Sequence, residues 1–223
     1  MVRCVLPRKE LGKTVIDDSI DLHQFSKEHP EIQPGGWWKP RDCKARSRVA
    51  FVIPFRDRWK TLRVLLPQLH LVLQRQKIHY RIFLSEQSGN ETFNKGRIMN
   101  AAFLESQKIF SFDCVTFHDA DLIPENDRNL YVCPYMPRHM SVLVSTLNYT
   151  GFYNLLIGGV LEMNISHFRD VNGYSNEYWG WGGEDDDIAF RIENSGYHFI
   201  RPPREVGRYF MVEHKKAYRN PQR

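Results

Sequence analysis

Four consecutive carboxylates, Glu184-Asp185-Asp186-Asp187, follow the string Tyr178-Trp179-Gly180-Trp181-Gly182-Gly183. So much negative charge in one place is unfavourable unless part of it is solvated, protonated, metal-bound or set at a helix N-terminus. The glycines free the backbone for angles that a side chain forbids, so two indoles can be brought close over a bound molecule. Ile188 and Ile192 then share one face at helical spacing. The stretch reads as a Gly-rich loop that carries indoles and carboxylates to a cleft and then enters a helix. The competing reading is an acidic helix start with two packed tryptophans.

A second acidic group is His118-Asp119-Ala120-Asp121. Carboxylates at i and i+2 in a turn converge on a hard cation and its phosphate ligands, which suits Mn²⁺ or Mg²⁺ holding a diphosphate. An EF-hand is excluded, because Ile123 and Pro124 stand where an acidic ligand and glycine are needed. The plainer alternative is that Asp119 or Asp121 caps a turn. Pro54-Phe55-Arg56-Asp57-Arg58 offers guanidiniums for phosphate and an aromatic ring for a base, or else a surface ion pair with Asp57. Phe93-Asn94-Lys95-Gly96-Arg97 is a similar aromatic and basic group, or merely a helix start. Met211 and His214 offer a soft and a borderline metal ligand, although a surface histidine is the commoner case. No G-x-G-x-x-G, P-loop lysine motif or G-x-S-x-G occurs.

The elements that must position these groups alternate along the chain. Arg48–Ile53 is a short continuous apolar run, the mark of a strand buried on both faces. Trp59–Gln76 carries leucines at helical spacing, Tyr80–Ser85 reads as a strand, Lys95–Lys108 as a helix and Asp113–His118 as a third strand. This β-α-β-α-β order predicts a single-domain α/β fold, a mostly parallel central sheet flanked by helices. Ligands in such sheets sit beyond the carboxyl ends of the strands, so the loops at Pro54–Arg58, Glu86–Phe93 and Asp119–Asp121 share one edge. Residues 1–46 read as an irregular N-terminal arm, with a short helix at Ile20–His29 behind the capping cluster Asp17-Asp18-Ser19.

Composition sets outer limits. The 223 residues suit one domain with a substantial core, and 42% hydrophobic content with 13% aromatics is globular. The net charge of +5 comes from scattered basic residues, with no run that points to nucleic acid. Such a surface equally recruits an anionic substrate. No stretch approaches the roughly 18 apolar residues of a membrane span. Four cysteines, Cys4, Cys43, Cys114 and Cys133, allow three pairings and contain no CxxC. The sequons at Asn90, Asn148 and Asn164 matter only in a secretory compartment. Sequence physics alone reaches a metal-dependent enzyme acting on a phosphate-bearing substrate.

Taken in order, Cys4, Pro54–Arg58, Phe93-Asn94-Lys95, Asp119–Asp121, Gly158-Gly159, Tyr178–Asp187, Gly207-Arg208 and Asn220-Pro221-Gln222-Arg223 resemble the β-1,4-galactosyltransferase family. These are inverting enzymes that extend terminal GlcNAc in the Golgi lumen, and the resemblance covers nearly the whole chain. It implies a GT-A-like nucleotide-sugar fold with a Mn²⁺ ion whose protein ligands are Asp121, Met211 and His214. It implies that Phe55, Arg56, Arg58, Phe93 and Lys95 hold the uridine diphosphate, with Asp119, Ala120 and Gly159 beside them. The family usually has arginine where Lys95 stands and D-V-D where this chain has D-A-D. Asp185 is implied as general base, Glu184 as the group orienting hydroxyls, and Trp181 as a lid that excludes water. Tyr153, Leu156 and Asp186 complete the sugar side. Asp186 and Asp187 are expected to cap the helix or form ion pairs as well, and Trp179 to be a packed support.

Leu156 stands where galactose-specific members carry tyrosine. A smaller aliphatic leaves room for an N-acetyl group, so the expected donor is UDP-GalNAc, with UDP-Gal the alternative. The resemblance also pairs Cys4 with Cys43 and Cys114 with Cys133 in an oxidising lumen. It casts residues 47–223 as the catalytic domain with its C-terminal end truncated, a soluble piece of a type II Golgi membrane protein. The acceptor is then a GlcNAc-terminated glycan, with no nucleic acid and no identified partner subunit. The competing readings are an inert sugar-binding member of the fold and a cytosolic metal-dependent nucleotidyltransferase.

Overall fold

The computed structural model describes residues 1–7, 9–151 and 153–213. The chain opens with α1 (Leu22–Glu28) and β1 (Trp37–Trp38), then alternates β2 (Arg48–Phe55), α2 (Trp59–Arg75), β3 (His79–Glu86), α3 (Lys95–Ile109) and β4 (Cys114–His118). Short strands β5 (Leu122–Pro124), β6 (Arg138–His139) and β7 (Leu143–Val144) follow. The chain continues through β8 (Val160–Asn164), α4 (Ile165–Asp170), α5 (Glu184–Asn194) and β9 (Arg208–Met211).

Six strands form the main sheet in the order β1-β3-β2-β4-β8-β6. Only the β2–β3 and β2–β4 pairings are parallel, whereas β1–β3, β4–β8 and β6–β8 are antiparallel. The expected mostly parallel sheet is therefore corrected to a mixed one. Among the described residues, helix crossovers connect only β2, β3 and β4, and no α-helix intervenes between β4 and β8. Without a crossover helix, the returning strand pairs antiparallel.

The strand β2 explains the layering. Successive side chains of a strand point to opposite faces. Val49, Phe51, Ile53 and Phe55 join Leu62, Leu65, Leu69, Val72 and Leu73 of α2 in one buried cluster. Ala50 and Val52 join Met99 and Phe103 of α3 with Ile188, Ala189 and Ile192 of α5 in the other. A continuous apolar run is thus needed because both faces are covered. Each fully buried aliphatic contributes about 1.5–3 kcal/mol before entropy is counted.

A second sheet, β5-β9-β7, stands at the end of β4. There β9 pairs antiparallel with β5, Leu122 opposite Met211, and parallel with β7. The Cys4–Cys43 disulfide closes the arm on itself, and Asp127 ties it to the body, accepting from the Gly12 amide and ion-pairing with Arg75 at 3.0 Å. Its helix is shorter than the sequence indicates. Asp21, not the Asp17–Ser19 cluster, is the N-cap, with its side chain accepting from the Gln24 amide at 2.9 Å. Asp17 instead accepts from Ser19. Among the described residues no helix is long and apolar enough to cross a membrane.

Candidate active site

The parallel strands β2, β3 and β4 end at Phe55, Glu86 and His118, so their following loops share one edge. Two helix starts are delivered to that edge. Asn94 caps α3 by accepting from the Arg97 amide at 2.8 Å, while its own amide group donates to the Asn176 carbonyl at 2.7 Å. Lys95 is thereby fixed as the first residue of α3. Gly183, at φ +102°, lets the chain turn into α5, where a side chain would be strained and a Cβ would meet the Tyr178 ring at 2.5 Å. Glu184 to Asp187 then form the first turn of α5, where the helix dipole favours negative charge.

These starts meet at one ammonium group. Lys95 Nζ lies 2.9 Å from Asp119 Oδ1, 3.4 Å from Glu184 Oε1 and 3.5 Å from Asp185 Oδ1. The side chains are 17% exposed for Lys95, 8% for Glu184 and 25% for Asp185. Although burial works against its charge, the three carboxylates hold the Lys95 pKa well above the ordinary lysine value. Burial pushes the Asp185 carboxyl up to about 7, with Lys95 pulling down and Glu184 and Asp119 pushing further up. Glu184 Oε2 is buried and has no hydrogen-bond partner among the described residues. Gly158 presses against the same group, since a Cβ there would stand 2.5 Å from Asp185 Oδ2. The neighbouring Gly159 carbonyl accepts from the Asp119 amide at 2.9 Å. Ala120, between the two aspartates, is buried.

The remaining expected residues fall into separate places. Asp121 and Met211 are brought together across the β5–β9 pair, where the Val212 amide donates to the Asp121 carbonyl at 2.8 Å. Met211 Sδ accepts from the Thr146 hydroxyl at 3.2 Å. His214 lies outside the described residues. Among the described residues no group of three or more His, Cys, Asp and Glu side chains could hold an ion. Arg56 stands 5.5 Å over the Phe93 ring and donates to the Glu91 carbonyl, and Arg58 is the N-cap residue of α2. The Gly180 amide donates to the Phe93 carbonyl at 2.8 Å, tying the indole loop to this edge.

Three of the expected residues have further surroundings. Phe55 is buried and packs edge-on against Trp59, so its ring is a core ring and Trp59 is the exposed aromatic at that edge. Lys95 is engaged by three carboxylates. Trp179 is 38% exposed and Trp181 51%. The acids also divide: Asp186 accepts from the Tyr153 hydroxyl at 2.6 Å, and Asp187 ion-pairs with Arg191.

Sequence reasoning missed Tyr174, which is buried beside Lys95, Asp119 and Asp185 in the cleft floor. It also missed His139 and Arg201. Arg201 donates to the carbonyls of Asn154 and Leu156 at 2.6 and 3.0 Å, and His139 Nε2 contacts the Gly158 carbonyl at 3.0 Å. Bonds to main-chain carbonyls leave no trace in residue spacing, so nothing in the sequence could have marked them. Both expected disulfide pairs are bonded, Cys4 to Cys43 and Cys114 to Cys133.

Comparison with known proteins places the chain. Residues 6–134 match the N-terminal region of glycosyl transferase group 7, and residues 138–215 match the N-terminal domain of galactosyltransferase. Rat β-1,4-galactosyltransferase 6 is 42% identical over 205 residues, which is 92% of this chain and 54% of that protein. Human β-1,4-galactosyltransferase 3 is 44% identical over 195 residues, covering 87% of this chain and 50% of that protein. The chain therefore spans about half the length of the curated relatives it matches. Among solved structures, a Drosophila β-1,4-galactosyltransferase 7 mutant in complex with manganese, UDP-Gal and xylobiose superposes with a TM-score of 0.67 at 31% identity. The match covers 75% of this chain and 71% of that one. A mannosyltransferase from Pyrobaculum calidifontis shares the fold at 14% identity and a TM-score of 0.52. Six-stranded sheet, carboxylate cluster and matched regions agree: the chain belongs to the β-1,4-galactosyltransferase family of glycosyl transferase group 7.

Proposed function

We propose that this protein transfers GalNAc from UDP-GalNAc to the 4-hydroxyl of a terminal GlcNAc, with inversion and with Mn²⁺ as cofactor. The observation that carries this reading is Asp185. It is held beside Lys95, pressed by Gly158 and pushed up to about 7, where a carboxylate accepts a proton near neutral pH. In the reaction Asp185 takes the proton of the acceptor hydroxyl as that oxygen attacks the anomeric carbon from the face opposite the leaving diphosphate. The buried, unpartnered Glu184 Oε2 takes a sugar hydroxyl. Trp181 covers the sugars and excludes water, which limits hydrolysis of the donor. Asp186, through its bond from Tyr153, borders the acceptor.

Asp121, just before β5, and Met211 of β9 supply a hard oxygen and a thioether, and these fit two of the three ligand positions. His214, the third, lies outside the described residues. When bound there, Mn²⁺ offsets charge on the departing diphosphate. Arg56, Arg58 and Phe93 hold the nucleotide diphosphate from the β2 and β3 loops.

A second reading, a UDP-Gal-specific enzyme, is favoured by the names of the relatives. Leu156 favours UDP-GalNAc, because tyrosine in its place would crowd the C2 substituent. Turnover with each donor, Mn²⁺ and a GlcNAc-terminated acceptor separates the two. The GalNAc reading expects Leu156→Tyr to raise galactose transfer relative to GalNAc transfer. A strong wild-type galactose preference that Leu156→Tyr leaves unchanged would overturn it. The same proposal assigns the whole protein to the Golgi lumen behind a membrane anchor, a compartment oxidising enough for its two disulfides.

A further inference from the structure

Residues 153–158 form a strap that runs past the carboxylate cluster. Its near end is closed by the Leu156 amide donating to the Tyr153 carbonyl at 3.1 Å, and Ile157 anchors it in the core. One side touches the site, where Gly158 meets Asp185 and the following Gly159 carbonyl receives the Asp119 amide. The carbonyls of Asn154, Leu156 and Gly158 are all held by a set of groups from elsewhere in the fold. Arg201 Nη2 donates to the first two, while His139 Nε2 and the Ser141 hydroxyl hold the third, each at 3.0 Å.

This set has an internal logic. Arg201 follows Ile200, whose amide donates to the Pro137 carbonyl at 2.9 Å and whose carbonyl accepts from the His139 amide at 3.0 Å. The backbone at Arg201 is therefore zipped along β6. Arg201 Nε then donates to His139 Nδ1 at 3.2 Å, which leaves that nitrogen without a proton. The imidazole proton is on Nε2 and is donated to the Gly158 carbonyl. Burial, with Arg201 beside it, lowers the His139 pKa to about 3, in keeping with a neutral ring. The guanidinium of Arg201 lies over Phe199, its carbon 4.8 Å from the ring centre. The planar fork holds two carbonyls and an imidazole at once with donors fixed in direction, a geometry that a compact ammonium does not supply.

We infer that Arg201, oriented by His139, is a positioning residue that sets the place of residue 156 and so the site's discrimination between UDP-sugars that differ at C2. The inference rests on the reading of Leu156 given above. It adds that selectivity depends on the carbonyls behind that residue as well as on its side chain. Arg201 touches neither diphosphate nor reacting atoms in this scheme, so binding of UDP itself is the internal control.

The test uses Arg201→Met, which keeps an unbranched aliphatic side chain, and Arg201→Lys, which keeps the charge but replaces the planar fork with a compact ammonium. For each, kcat/KM with UDP-GalNAc and with UDP-Gal is measured, together with the inhibition constant of UDP. Arg201→Met is expected to change the donor ratio by roughly tenfold while UDP inhibition stays within about twofold, with Arg201→Lys between it and wild type. An unchanged donor ratio in folded Arg201→Met overturns the inference, and so does a loss shared equally by both donors and UDP. If Arg201→Met fails to fold, His139→Gln keeps a donor for the Gly158 carbonyl but loses the ring geometry, and should move the ratio in the same direction. Amide exchange at Leu156 gives a second readout, expected to speed up in the variants, and unchanged protection counts against the inference. A wild-type preference for galactose would sink the donor assignment alone, because the predicted change in ratio does not depend on which sugar is favoured.

Discussion

At the scale of single residues the site is governed by one cation among three acids. Asp185 accepts a proton only as a carboxylate, and its pKa is pushed up to about 7 mainly by burial, against the pull of Lys95. Activity should therefore rise with pH through about 7 and level off above it, seen as an acid limb in kcat/KM. Lys95→Met removes the pull while leaving burial and the neighbouring carboxylates, so the limb should move to higher pH. A limb that stays in place would show that Lys95 does not act on Asp185. Gly158→Ala would place a methyl 2.5 Å from Asp185 Oδ2, on a strap fixed from behind. We expect a loss of roughly tenfold or more in kcat from a small displacement of the base, with a far smaller change in melting temperature.

At the scale of elements, β2 is the partition between two cores. Leu69 of α2 is fully buried in the cluster that carries Phe51 and Ile53 of β2. Leu69→Ala should cost about 2–5 kcal/mol of stability, read by denaturant unfolding, with kcat of the folded protein little changed. The alternating elements β2, α2, β3, α3 and β4 were legible to within about two residues at most ends because each carries a strong period and clear breakers. The strands β1, β6 and β7 have two residues each, too few to display any period, and β8 is a buried run whose direction no local signal encodes. That is why the sheet reads as parallel in sequence and is mixed in fact. The site shows the same division. Its acids and basic loops are visible as unusual residue types, whereas the Arg201 and His139 bonds join side chains to distant main chain and leave the pattern unaltered.

At the scale of the whole molecule, buried titratable groups set the response to pH. Burial lowers His70 and His118 to about 4 and His139 to about 3. Their stabilisation is complete above the unfolded value of about 6.5 and is lost as pH falls towards the folded values. Burial raises Glu162 and Asp185 to about 7, and their stabilisation is complete below the unfolded values and is lost as pH rises through about 7. The two sets oppose each other between about pH 6.5 and 4.5, and only the histidine loss continues below. Asp113, held low by Arg48 despite partial burial, adds to that loss in acid. Melting temperature should thus fall gently from pH 6.5 to 4.5 and steeply below, at about 1.4 kcal/mol per pH unit for each unbalanced proton. A steepest fall above pH 5 would contradict this balance.

The account as a whole turns on Asp185 as the group that takes the acceptor's proton. Its most direct test is Asp185→Asn, which keeps the shape of the side chain and removes its basicity. Donor binding is followed by calorimetry with Mn²⁺ and UDP-sugar, and turnover by UDP release with a GlcNAc-terminated acceptor. The account predicts a fall in kcat of about 10²–10⁴ with the donor dissociation constant within about threefold of wild type. An Asp185→Asn protein that binds donor and turns over within about tenfold of wild type would contradict it.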